Sequence, residues 1–158
     1  MEQSNQKTAV FAGSFDPITL GHEEIVRRAL TIFDKIIVAV GVNGEKKSYF
    51  TLEQRLKFIQ EAFSDESRIS VETYNGLTIN FVQSVGATHL LRGLRSPADF
   101  EFERVVAQAN RQASGIDTVF LISAPEFSHI SSTVVRDFLR CGGDASMFIP
   151  KKIRHLVK

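Results

Sequence analysis

Residues 8–22 read Thr8-Ala-Val-Phe-Ala-Gly13-Ser-Phe-Asp-Pro-Ile-Thr-Leu-Gly21-His22, and their reading decides the fold. Thr8 to Ala12 is a short apolar run that ends at a glycine, as a buried strand does. After the loop, Glu23 to Phe33 carries Ile25, Ala29 and Ile32 at helical spacing, with Val26, Leu30 and Phe33 beside them. Gly21-His22 therefore falls at the start of a helix that follows a buried strand.

The same alternation continues to the end of the chain. Lys35 to Val42 is β-rich and apolar, and Thr51-Leu-Glu-Gln54 matches a capping box opening a helix to about Phe63. Arg68 to Tyr74 reads as a third strand, Leu77 to Val85 as a short helix, and Thr88 to Arg92 as a fourth strand. Ser96-Pro97 supplies an N-cap and a first-turn proline for a helix ending near Ala113. Thr118 to Ile122 is a fifth strand, Ser131 to Arg140 a helix closed by Gly142, and Pro150 opens a last short one. Five alternations of apolar strand and helix predict an α/β fold: a Rossmann-like, doubly wound, five-stranded parallel sheet with helices on both faces. In the strand order 3-2-1-4-5, strands one and four meet where the winding reverses, and ligands bind there.

Bulk properties bound the function. A chain of 158 residues, 43% hydrophobic, without a linker-like segment, is expected to form a single domain over residues 1–158. Nineteen basic and 18 acidic residues leave a formal charge of +1, which argues against nucleic acid as a partner. The lone cysteine, Cys141, excludes an internal disulfide framework and fits a reducing cytoplasm. No apolar run reaches membrane-spanning length, so no membrane partner is expected.

Three segments carry chemistry. Gly13 lets the backbone approach a ligand, and a helix N-terminus at Gly21-His22 offers free amides and partial positive charge to a phosphate. Arg92 and Arg95, around Gly93, form a compact cationic turn after strand four, and arginine grips phosphate with a planar fork. Glu103 lies one turn into the helix that follows. Ser131, Ser132 and Thr133 put three hydroxyls at another helix N-terminus, where one suffices for capping. Lys46 and Lys47, in the loop after strand two, can reach across the cleft to an acceptor phosphate. His89 and His155 read as structural or exposed, and no spacing suggests a protein-held metal.

The stretch from Gly13 to His22, together with Ile130-Ser-Ser-Thr133, resembles the nucleotidyltransferase superfamily. Lys46-Lys47, Leu91-Arg-Gly-Leu-Arg95 and Asp99-Phe-Glu-Phe-Glu103 make the chain similar, within it, to the bacterial phosphopantetheine adenylyltransferases. That resemblance covers Thr8 to Val157. It implies transfer of AMP from ATP to 4′-phosphopantetheine, with Mg²⁺, to give dephospho-coenzyme A and pyrophosphate. It implies catalytic roles for His22, Lys46 and Arg92, and nucleotide contacts from Ser14, Phe15, His22, Gly93, Leu94, Arg95 and Glu103. Phe127, Ser128, His129, Ile130, Ser131, Ser132 and Thr133 would hold the rest of the nucleotide, while Ser14, Lys46, Thr78 and Arg92 would take the acceptor. It also implies a homohexamer and coenzyme A as a feedback inhibitor. Thr78, Asn80 and His129 depart from the residue types usual in the family. The competing readings are another phosphate acceptor, such as nicotinate mononucleotide, and a non-catalytic nucleotide sensor.

Overall fold

The structure is a computed structural model that describes residues 5–42, 44 and 47–158. Five parallel strands, β1 (Thr8–Gly13), β2 (Lys35–Gly41), β3 (Ile69–Tyr74), β4 (His89–Leu94) and β5 (Asp117–Ile122), form one sheet in the order β3-β2-β1-β4-β5. The predicted order is the observed one. β1 is central: Ala9 is in register with Ile36 of β2 on one side and His89 of β4 on the other.

Helices α1 (Leu20–Ala29), α2 (Leu52–Ala62), α3 (Thr78–Ser84), α4 (Pro97–Ser114) and α5 (Ser132–Arg140) cover both faces. Strand periodicity explains the division, because alternate residues of a strand point to opposite faces. Phe11, Ile36, Val38 and Leu91 face a core shared with Ile25 and Val26 of α1, Phe58 and Ile59 of α2, and Val135 of α5. Val10, Ile37 and Leu90 face a smaller core shared with Ile79 and Val82 of α3. Burying each such side chain contributes about 1.5–3 kcal/mol, so the first face holds most of the apolar driving force.

Several boundaries move. α1 begins at Leu20 rather than Glu23, because Thr19 caps it, and its regular part ends at Ala29, with Phe33 N–H still bonded to the Ala29 carbonyl. The expected cationic turn is largely strand: Arg92, Gly93 and Leu94 pair with Phe120, Leu121 and Ile122 of β5, and only Arg95 lies beyond. Gly93 belongs there for a packing reason, since a Cβ would come 3.1 Å from Cγ1 of Ile25 where α1 crosses β4. The expected capping box holds: Thr51 Oγ1 accepts from Gln54 N–H, and the Gln54 side chain accepts from Thr51 N–H. Pro150 opens a short 3-10 turn, Lys151–Ile153.

Candidate active site

β1 and β4 are neighbours at the winding reversal, and their carboxyl ends open into a cleft lined by Ser14, His22, Arg92, Arg95, Ser131 and Arg136 among others. The loop leaving β1 is held hard. Phe15 takes a φ of +46°, an unfavourable region for a bulky residue. Its ring is buried, edge-on to Phe11 and His22 with centroids 5.4 and 5.0 Å away, and close enough to Gly13 that a Cβ there would crowd it. Gly13, Ser14 and Phe15 all line the cleft. The buried Asp16 carboxylate accepts from Tyr49 N–H at 2.7 Å and Phe50 N–H at 2.8 Å, tying this loop to the one after β2.

His22 closes a capping box at the third position of α1. Thr19 N–H donates to its Nδ1 at 3.0 Å, and Thr19 Oγ1 accepts from His22 N–H at 3.4 Å. Because Nδ1 accepts, the neutral ring carries its proton on Nε2, the other edge. Burial, with the positive charges of Arg95 and then Arg92 nearby, lowers the His22 pKa to about 4. Near neutral pH the ring in the ligand-free cleft is therefore a neutral Nε2–H donor.

Arg92 is built in the opposite way. Its Nη2 and Nε donate to the two carboxylate oxygens of Glu103 at 2.6 and 2.9 Å, and its Nη1 donates to the Ala12 carbonyl at 2.7 Å. Three of five guanidinium protons are thus placed, which fixes the plane and leaves two for a ligand. Glu103 faces the cleft as expected, but its two oxygens are spent on orienting Arg92. Arg95 reaches from the end of β4 to the Ile130 carbonyl at 3.3 Å, and Asp99 accepts from the Arg95 amide at 2.9 Å.

The three hydroxyls at the N-terminus of α5 have three different partners. Ser131 caps the helix by accepting from Val134 N–H at 3.2 Å, Ser132 donates to the Pro17 carbonyl at 2.7 Å, and Thr133 accepts from Arg136 Nη2 at 3.3 Å. The first-turn amides of Ser132 and Thr133 then have no acceptor among the described residues, so a helix N-terminus faces the cleft with open donors. Ile130 joins the lining. Phe127, Ser128 and His129 stand in and beside a 3-10 turn outside it: Ser128 bonds back to the Pro125 carbonyl, and His129 lies edge-on to Phe148. Leu94 is buried beneath the cleft.

Arg92 and Glu103 also line a second cavity, entered from the same strand ends and walled by Thr78 of α3 and Phe102 and Val106 of α4. Arg92 is the hinge between the two spaces. The Thr78 hydroxyl is 2.9 Å from the Tyr74 hydroxyl, so the polar departure at this position is paired within the wall; Asn80 is exposed. Lys46 lies outside the described residues. Asp16 and Arg136 were not singled out by the sequence reading. Arg136 donates to the Asp16 carbonyl at 2.8 Å, and its signal was the helical spacing that puts it one turn beyond Ser132 on the same face of α5.

Residues 10–138 match the cytidylyltransferase-like family model. A phosphopantetheine adenylyltransferase from Flavobacterium johnsoniae is 54% identical over 148 residues, 94% of this chain and 97% of that one. The protein of that name from Bacteroides fragilis is 44% identical over 92% of this chain and 97% of its own. Among solved structures, the bifunctional NMN adenylyltransferase/ADP ribose pyrophosphatase of Francisella tularensis, complexed with AMP and a manganese ion, superposes with a TM-score of 0.68. It is 16% identical, with 91% of this chain and 44% of that one covered, a likeness of fold alone. With two relatives this similar along nearly their whole length, the chain belongs to the phosphopantetheine adenylyltransferase family, within the cytidylyltransferase-like nucleotidyltransferases.

Proposed function

We propose that the chain transfers AMP from ATP to 4′-phosphopantetheine by direct in-line attack, with His22, Lys46 and Arg92 as its catalytic residues. The observation that carries the reading is convergence: His22, Arg92, Arg95 and two helix N-termini meet in one cleft, beside a cavity that Arg92 shares. The acceptor phosphate is already anionic near neutral pH, so its oxygen attacks the α-phosphorus without a general base. The bond from the α-phosphorus to the bridging oxygen breaks, and pyrophosphate leaves with the electron pair. The protein's task is to align two anions and stabilise charge that builds on the α-phosphoryl oxygens. On this reading Nε2–H of His22 donates to the α-phosphate, and the first-turn amides of α5, with Arg95, hold the rest of the triphosphate. The two free Arg92 protons meet the acceptor phosphate, while the cavity beyond takes the pantetheine arm along Thr78.

Mg²⁺ fits as an ion carried in on the triphosphate. The carboxylates of Asp16, Asp99 and Glu103 already accept from protein N–H groups, and no cluster of three or more His, Cys, Asp or Glu stands together among the described residues. Such an ion would supply charge neutralisation on the phosphates. Coenzyme A, which contains the same pantetheine arm, would compete for the second cavity. Self-association into a homohexamer is supported by α4, which buries no residue and exposes Phe102 (70%) and Val105 (56%), and by the exposed Ile122 (73%) of the edge strand β5. A cytoplasmic setting fits the lone, exposed thiol of Cys141.

The deciding experiment is pyrophosphate release from MgATP with and without 4′-phosphopantetheine. Release that requires 4′-phosphopantetheine is expected; equal turnover with nicotinate mononucleotide would overturn the assignment. Light scattering at micromolar concentration should find hexamers, and a monomer would refute the assembly. Saturating coenzyme A should slow the rate, and an unchanged rate would remove the feedback.

A further inference from the structure

A third space, a basin, opens beside the cleft, and the proposed chemistry does not use it. Its lining includes Lys47, Arg55, Arg136 and Arg140, and it shares Ser14, Asp16 and Arg136 with the cleft itself. Among the described residues its one carboxylate is Asp16, whose two oxygens are already taken by the amides of Tyr49 and Phe50. Four cations therefore face a space with little compensating charge from the described residues.

Arg55 makes the point most sharply. It is a charged residue only 8% exposed, and its Nη1 donates at 2.9 Å to a neutral partner, the Ser14 carbonyl. Its Nε is buried with no acceptor at all, and no described carboxylate lies within ion-pair distance of it. A buried guanidinium without a counter-charge is costly unless something anionic comes to it. Arg136 bonds the Asp16 carbonyl and the Thr133 hydroxyl, again without a described carboxylate partner. Arg140 spreads over the Tyr49 ring, its Cζ 5.6 Å from the centroid, and its contact with Asp137 is a 3.5 Å pair between two exposed side chains, which contributes little.

Resting on the adenylyl-transfer reading, we infer that this basin receives the pyrophosphate leaving group, with Arg136 as the shared edge over which it passes from the reaction cleft to Arg55, Arg140 and Lys47. The ligand is a multiply charged diphosphate, and two phosphoryl groups match cations on two sides of the basin better than one. Moving it there takes it out of line with the α-phosphorus and so opposes the reverse attack. Asp16 then has a positional role, since it ties Tyr49 at one rim to the β1 loop at the other.

Calorimetric titration of pyrophosphate into the ligand-free protein tests this, against a Lys47→Gln/Arg140→Gln double variant. Both side chains are exposed, so the variant should melt as the parent does. Loss of the two charges should weaken pyrophosphate binding by about tenfold or more, while affinity for ATP changes by less than about threefold. A Lys47→Arg/Arg140→Lys variant, which keeps the charge, should retain most of the binding. Orthophosphate should bind the parent at least about tenfold more weakly than pyrophosphate, because it spans fewer of the cations. Unchanged pyrophosphate affinity in the glutamine variant, an equal loss for ATP, or equal affinities for the two anions would each overturn the inference. Neither titration contains an acceptor, so a failure of the adenylyl-transfer reading would show separately, in the pyrophosphate-release assay.

Discussion

At the α1 side of the cleft the donor proposed to meet phosphate is a neutral imidazole, whereas at the β4 side it is a guanidinium clamped by a carboxylate. His22 owes its neutrality to burial and to the arginines beside it, and its orientation to the bond that Thr19 N–H gives Nδ1. Arg92 owes its orientation to Glu103 and the Ala12 carbonyl, and it keeps its charge whatever the cleft contains. A fixed charge attracts a phosphate in the ground state and in the transition state alike. A neutral donor gains most where charge accumulates during transfer. The two sides are thus suited to binding and to acceleration respectively.

Breaking the α1 side should have the largest effect. His22→Ala is expected to lower kcat by about two orders of magnitude or more, with KM for both substrates within a few-fold, in steady-state kinetics varying ATP and 4′-phosphopantetheine. A pure binding defect with kcat intact would remove the transition-state role. Breaking the β4 side should look different in kind. Arg92→Ala should raise KM for 4′-phosphopantetheine by about tenfold or more and leave KM for ATP nearly unchanged. Lysine at this position should rescue only in part, because it restores charge without the fork. Glu103→Gln, which keeps one acceptor but loses the paired charge, should fall between the parent and Arg92→Ala on the same readout.

The smallest effect concerns stability. His22 in the fold has a pKa below that of an ordinary histidine, so the unfolded chain binds its proton first as pH falls. Stability from this group is complete above about pH 6.5 and is lost as pH drops through about 4. Denaturant midpoints of His22→Gln should fall less steeply across that window than those of the parent. Parallel curves would mean that the ring is not held neutral.

How much of this was legible in the sequence differs between the same two sides. The α1 side was readable because its determinants are local: an apolar run, a glycine and a Gly-His pair at a helix start need only neighbours along the chain. The Thr19 cap was missed because the helix boundary was read from apolar spacing, which begins at Ile25, and not from the capping residue six positions earlier. The β4 side was readable in its charges but not in its geometry. Nothing within the segment Leu91 to Arg95 says that Glu103 will reach back to Arg92, or that Gly93 continues a strand instead of turning; both depend on how α4 and β5 pack. The basin around Arg55 was invisible for the same reason, since its cations come from the loop after β2, from α2 and from α5 and meet only in space.

The claim on which the comparison rests, that His22 is a neutral Nε2–H donor, can be read directly. Nitrogen-edited NMR of ring-labelled histidine in the ligand-free protein, with His22→Gln for assignment, reports both tautomer and titration. The account predicts a single neutral ring with its proton on Nε2 at pH 7 and a midpoint close to pH 4. A midpoint at the ordinary histidine value, or a proton found on Nδ1 at neutral pH, would contradict it.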